Sequence, residues 1–423
     1  MATEQAGASA PPPLSAALAE PVVKVKPLWI SSVVLVNVGI NAAFFGPIQV
    51  LLGNQAISFD ERDKEAILAL VTGCGAAVSL VANPLFGSFS DRTTSQFGRR
   101  VPWVLAGAIT GTIALLGLSV APSVAVMAAL WCLAQLGCNG MLAAITAAIP
   151  DRVPVSQRGV VGGVASMGTV IGILLGAGIG AAAAKNFALG YWLCAAALLA
   201  GVVLYLLRSN DEQLGKAERG PLSLVEFFRG FWISPRKYPD FGWAWLTRFL
   251  VQFGVQICIV YLLFFLRDKV GYSEPEFGVL ILTGIYAVLT MITAGIGGVW
   301  TDRIGRRKPF VLASAAIIAM AALTLAFFPS WPGALLGAAI LGVGNGTFLA
   351  VDLALLTQVL PAAVSRGKDL GVINVANSLP QVLTAPTAFV FVKMLGGYVS
   401  LYVIAAVIGL LGAFFVLKIQ SVR

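Results

Sequence analysis

Apolar residues in this chain fall into long runs broken by short polar stretches, and run length dictates the reading more than any finer period. A helix rises 1.5 Å per residue, so about 20 apolar residues span the hydrocarbon core of a bilayer. Helices are the natural form for such runs, because each satisfies its own backbone hydrogen bonds where no water can. Twelve runs meet this length. Six lie at 28–53, 64–88, 102–121, 124–149, 160–184 and 189–208, and six at 241–266, 275–300, 309–329, 333–360, 370–393 and 397–418. The expected fold is an all-α membrane protein of twelve transmembrane helices in two pseudo-symmetric six-helix bundles, at 28–208 and 240–423. Residues 1–27 form a tail whose Ala/Pro-rich start lacks any period and predicts disorder. Lys24 and Lys26 precede the first run as in a signal peptide, but 28–53 is too long for a cleaved apolar core and reads as a span. Residues 209–239 form a polar linker. Within it "SLVEFFRGFW" places Ser223 and Glu226 as a capping box ahead of aromatic residues, which predicts a short helix lying in the interface.

Composition agrees. Hydrophobic residues make up 58% of the 423 residues and mean hydropathy is +0.89, against about 45–50% apolar residues in a soluble domain. The net charge of +9 could suggest nucleic acid, but the charges sit in bursts between spans, so the partner they imply is the bilayer and not a nucleic acid. With the termini inside, Arg62, Lys64, Lys185, Arg267, Lys269 and Lys393 face outward and Arg248 lies within a span. All the other Lys and Arg fall on the termini side. That bias supports the span count and cytoplasmic placement of both termini, and the expected location of this multi-pass protein is the plasma membrane. The chain has no His, its five Cys stand inside apolar runs without metal-ligand spacing, and no GxxxxGK occurs. No cofactor, metal site or enzyme is implied.

The few charges concentrate in two places. "SDRTTSQFGRR" (90–100) carries Asp91, Arg92, Arg99 and Arg100, and "TDRIGRR" (301–307) carries Asp302, Arg303, Arg306 and Arg307, half a chain later. The halves echo elsewhere too: "IPDRVPVSQRG" (149–159) against "VLPAAVSRGKD" (359–369), and "LGCNG" (136–140) against "GVGNG" (342–346). In these residues the chain resembles the major facilitator superfamily, whose loop signature Gly-x-x-x-Asp-Arg-x-Gly-Arg-Arg/Lys is matched at Gly298, Asp302, Arg303, Gly305, Arg306 and Arg307. The first copy has four extra residues before Gly98. With "NPLFG" (83–87) ahead and Pro-aromatic behind, it resembles the glycoside–pentoside–hexuronide and sucrose-transporter-like sugar:cation symporters. The resemblance implies a monomer working by alternating access, with helices 1, 4, 7 and 10 lining a central cavity. It also implies that Asp91, Arg92, Arg99, Asp302, Arg303 and Arg306 latch the cytoplasmic side. The sodium-binding carboxylates of the melibiose-permease type are not matched, since span 2 offers Asn83 and span 4 offers Gln135 and Asn139.

Polar residues inside the spans recur at helical spacing. They are Asn37 and Asn41 on span 1, Gln135 and Asn139 on span 4, Arg248, Gln252 and Gln256 on span 7, Asn345 and Asp352 on span 10, and Asn374, Asn377 and Gln381 on span 11. Amides can glue helices or bind substrate; as a set they are expected to line the cavity. Charges within a span need partners. Arg248 lies eight residues past Asp240, and Asp352 nine before Pro361, so both sit roughly 12–13 Å from the same side. An ion pair between them follows. A separation that freed Asp352 would let it take a proton, whereas a static pair would only hold two helices. Gly168, Gly172, Gly176 and Gly180 on span 5 read as a packing stripe. The expected function is secondary transport of a small organic solute, by preference proton-coupled symport of a sugar or glycoside. The alternatives are proton-coupled export of drugs or metabolites, or a non-transporting sensor.

Overall fold

A computed structural model of the chain describes residues 21–209, 211–215, 236–304, 306–359 and 366–420. The N-terminal tail to residue 20 and the linker helix expected around Ser223 and Glu226 lie outside them. The twelve runs become twelve helices: α1 Pro27–Phe59, α2 Lys64–Asp91, α3 Val101–Leu118, α4 Val124–Arg152, α5 Val155–Ala182 and α6 Phe187–Arg208, then α7 Pro239–Val260, α8 Pro275–Ile304, α9 Lys308–Phe327, α10 Trp331–Val359, α11 Arg366–Met394 and α12 Gly397–Val416. Eleven of them are long and apolar enough to cross a membrane among the described residues, and α11 adds the apolar stretch Leu379–Met394. A π turn at Pro47–Leu51 interrupts α1. Beyond α7, Leu262–Phe265 and a π turn at Leu266–Val270 carry the chain to Gly271, which ends the turn with a left-handed φ of 66°.

Packing repeats with an offset of six helices. In the first half α1 packs on α5 and α6, α4 on α2 and α3, and α3 on α6; in the second α7 packs on α11 and α12, α10 on α8 and α9, and α9 on α12. The result is two pseudo-symmetric six-helix bundles. Across the boundary α2 meets α11 and α5 meets α8, which is itself a symmetric pair of contacts. Within the first bundle the glycine stripe of α5 is what lets α1 approach. A Cβ at Gly168 would stand 2.7 Å from the Val34 carbonyl oxygen, and one at Gly172 2.6 Å from that of Val38. Without lipid-excluding hydrophobicity between helices, such close backbone approach supplies much of the packing energy.

Contact between the halves is uneven along the membrane normal. We call the end bearing the chain termini the termini side and the other the far side. On the far side the α1 backbone at Gly53 lies against Leu263 and Phe264 beyond α7, and side chains of both halves interlock. The hydrogen bonds and ion pairs described between the halves all lie at this end. Towards the termini side, Gly159, Gly162 and Gly163 on α5 and Gly295 and Gly298 on α8 have open space where a side chain would be. Among the described residues the halves are joined by hydrogen bonds and ion pairs on the far side, and open space lies beside these glycines towards the termini side.

Candidate functional site

At the core of the second bundle, Arg248 of α7 donates through Nη1 to the Asp352 carboxylate of α10. Arg248 is 9% exposed and Asp352 5%. Removing either partner from such a buried pair strands a charge, at about 3–5 kcal/mol. On the same face of α10, two turns before Asp352, the Asn345 Nδ2 donates to the Tyr286 hydroxyl of α8 at 2.8 Å. The Asn345 Oδ1 is buried without a hydrogen-bond partner among the described residues. An unpaired buried carbonyl costs about 1–3 kcal/mol, so this oxygen is an acceptor in want of a donor.

The other amides divide. Asn37 and Asn41 are buried and donate back along α1, to the carbonyls of Val33 and Asn37 at 2.9 and 2.8 Å. Asn139 donates to the Gln135 Oε1 at 2.9 Å, a pair within α4. Gln252 and Gln256 are half-buried on α7 and Gln381 is exposed on α11, while the side chains of Asn374 and Asn377 lie outside the description. Further buried polar groups join them. Tyr191 of α6 donates to the Gln55 Oε1 at 2.7 Å while the Gln55 Nε2 donates to the Leu118 carbonyl at 2.8 Å, tying α1, α3 and α6 together.

The charged loop after α2 is organised around Arg100, more than the Arg92 and Arg99 singled out by the signature. Arg100 pairs with Asp91 at 2.6 Å and with Asp151, at the end of α4, at 2.7 Å, and donates to the Ser90 hydroxyl at 2.8 Å. Arg99 pairs with the same Asp151 at 3.0 Å. The Arg92 Nη1 is buried without a hydrogen-bond partner among the described residues. Asp211, just past α6, completes the cluster by accepting from the backbone N–H groups of Arg100 and Val101. Its carboxylate thus caps the start of α3, where the helix dipole favours negative charge. Gly98 makes this possible: its φ is +90°, and a Cβ there would stand 2.4 Å from the Asp211 Cβ. Burial lifts the Asp211 carboxyl above its ordinary value of 3.8, against the pull of the two backbone donors. In the second copy Arg303 and Arg306 are exposed, and the Asp302 side chain lies outside the description.

The far side holds a second charged cluster, and this one bridges the halves. Lys64, at the start of α2, pairs with Asp268 beyond α7 at 2.7 Å, and its ammonium lies 5.4 Å from the centre of the Phe264 ring. Tyr398 of α12 donates to the other Asp268 oxygen at 3.1 Å. Lys393, at the end of α11, pairs with Glu65 at 3.2 Å and donates to the Arg62 carbonyl. Arg267 pairs with Glu61 at 2.8 Å, Tyr261 donates to the Glu65 carbonyl at 3.0 Å, and Asn54 donates to Glu276 at 3.0 Å. In the sequence Lys64, Arg267 and Lys393 register only within the outward minority of Lys and Arg, and nothing in the spacing of the cluster announces that its residues meet.

Residues 28–294 and 244–422 match the family model described as Major Facilitator Superfamily. The multi-drug resistance efflux pump PmrA of Streptococcus pneumoniae is 26% identical over 312 residues, 71% of this chain and 74% of its own. A protein of Arabidopsis thaliana named "Putative polyol transporter 2" is 30% identical over 158 residues, 37% of this chain and 28% of its own. Among solved structures, a POT family transporter in complex with a thioalcohol-conjugated peptide superposes with a TM-score of 0.74 at 12% identity, covering 92% of this chain and 95% of that one. A bacterial homologue of the human lysosomal transporter Spinster, inward-facing and unoccupied, superposes with a TM-score of 0.66 at 15% identity over 93% and 96%. At these identities the structural likeness speaks for the fold.

Proposed function

The chain belongs to the Major Facilitator Superfamily and is a multi-pass membrane transporter, and on that premise we propose that it moves small, uncharged, polyhydroxylated solutes together with protons. The observation that carries this reading is the buried Arg248–Asp352 pair, with Asn345 on the same face of α10. The pair neutralises itself, so the site has no net charge with which to select an ion. The unpartnered Asn345 Oδ1 asks for a hydroxyl or amine donor. Proton uptake at Asp352 would release Arg248 and so couple solute binding to protonation. In this reading the amides Asn37, Asn41, Gln135, Asn139, Gln252, Gln256, Asn345, Asn374, Asn377 and Gln381 supply the polar lining. The far-side ion cluster holds the present state closed. The signature residues Asp91, Arg92, Arg99, Asp302, Arg303 and Arg306 take over on the termini side in the opposite state. The charge bias supports that side being cytoplasmic, and a monomer in the plasma membrane is what the family resemblance implies.

The test is uptake of labelled sugar alcohols and mono- and disaccharides into proteoliposomes under an imposed proton gradient. Accumulation that a protonophore collapses is the expected result. A second reading, proton-driven export, is favoured by the PmrA relative, which matches most of this chain. Proton release provoked by amphipathic cations, with no uptake of any hydroxylated solute, would replace the first reading with the second.

A further inference from the structure

Between the far-side ion cluster and the Arg248–Asp352 pair, the second bundle carries a line of hydroxyl and thiol groups through otherwise apolar packing. It starts at Asp268, 29% exposed, which accepts from the Tyr398 hydroxyl at 3.1 Å. One helical turn deeper on α12 stands Tyr402, fully buried, whose hydroxyl has no hydrogen-bond partner among the described residues. The two phenols lie within electrostatic range of each other, and the buried Cys258 thiol of α7 lies within range of both Tyr402 and Tyr286. Tyr286 of α8 accepts from Asn345 of α10, whose Oδ1 is the second unpartnered oxygen. The charged groups facing the line are Lys64 and Glu65 at its outer end and Arg248 at its inner end. An unpartnered buried oxygen costs about 1–3 kcal/mol, and a water that hydrogen-bonds it together with its neighbours removes that cost.

We propose that this line is a proton path from the far side to Asp352, inside the second bundle and separate from the route of the solute. Water seated at the Tyr402 hydroxyl joins the phenols to Cys258, and each hydroxyl passes a proton inward as it receives one from behind. The proton leaves far-side water through the Asp268 carboxyl and ends on an Asp352 oxygen, so the line itself stores no charge. While Arg248 donates to Asp352 the line ends at an ion pair and delivers nothing. Asn345 and Asp352 are seven residues apart on α10, roughly 10 Å along the axis. The solute hydroxyl that the transport reading gives to Asn345 Oδ1 spans that interval, so proton arrival waits on solute binding. The role of Asp352 rests on that reading; the entry of water along the line does not.

The experiment reads the line with and without transport. Full-length variants that keep only Cys258, only Cys138 or only Cys194, all three buried, are reconstituted in membranes and moved into heavy water. Loss of the infrared S–H stretch then reports hydrogen exchange at one thiol. Cys258 should exchange at least about tenfold faster than the other two, and Tyr402→Phe should slow it towards their rate. In proteoliposomes of the parent chain, Tyr402→Phe should slow solute-driven proton uptake, read by an internal pH dye, more than it slows exchange of labelled for unlabelled solute. Cys258 exchange as slow as that of Cys138 and Cys194 would overturn the path, and so would proton uptake and solute exchange slowed equally by Tyr402→Phe. A parent that takes up no protons with any hydroxylated solute would remove the transport reading alone, and thiol exchange would still decide the path.

Discussion

Lys64→Ala is the perturbation that most directly probes what holds the far side shut. Three ion pairs cross the boundary there, and exposure decides which matters. In the Arg267–Glu61 pair the side chains are 37% and 66% exposed, which places it among surface pairs worth about 0.2–1 kcal/mol. Lys64 is only 8% exposed and Asp268 29%. A fully buried pair broken at one partner costs about 3–5 kcal/mol, and the solvent reaching Asp268 reduces that, so roughly 1–3 kcal/mol of the closed state rests on this contact, equivalent to about a 5–150-fold shift between states. The assay is labelling of Gln49→Cys from the far side with an impermeant maleimide, since Gln49 is buried on the far-side part of α1. Lys64→Ala and Asp268→Ala should each raise the labelling rate by a factor in that range. Combined they should do no more than either alone, because both remove one interaction. Lys64→Asp with Asp268→Lys should return the rate towards that of the parent. Effects that multiply in the double alanine variant would show that the two residues act separately, and the reasoning would fall.

Two further predictions concern the termini-side cluster. Gly98→Ala must hold alanine at φ +90° and displaces Asp211 from the α3 terminus; it should lower thermal stability, with roughly 1–2 kcal/mol from the backbone alone, and an unchanged melting temperature would refute the account. For Asp211 the folded carboxyl sits above its ordinary 3.8, so the folded chain holds that proton to higher pH than the unfolded chain. Its contribution to stability is therefore full at acid pH and lost as pH rises through the folded value. Asp211→Asn keeps an acceptor at the helix start and should flatten that part of the stability-versus-pH curve above 3.8; an unchanged slope would show that the titration lies elsewhere.

The twelve helices were legible because each must be long and apolar to cross lipid, a condition written in consecutive residues. The Gly168–Gly180 stripe was legible for a similar reason, since one helix face carries it whole. Arg248 and Asp352 could be matched by depth alone, as few charges occur within spans and each needs a partner. Asp151 and Asp211 were hidden because Arg100 draws its partners from the ends of α4 and α6, far apart in sequence, and two adjacent arginines look alike until packing distinguishes them. Tyr286 left only a weak mark, a hydroxyl in an apolar run. The far-side cluster was the least visible part. Lys64, Glu65, Asp268 and Lys393 occur at helix ends, where charges are ordinary, and only the register between the halves brings them together.

The central claim is that Asp352 couples solute movement to protons, and Asp352→Asn tests it most directly. With one proton per neutral solute, a tenfold proton gradient supports at most about tenfold accumulation, the factor that about 1.4 kcal/mol provides. In proteoliposomes the parent should approach that limit. The variant should bring internal and external solute only to equality, while exchange of labelled for unlabelled solute continues. Accumulation by Asp352→Asn equal to that of the parent would contradict the account.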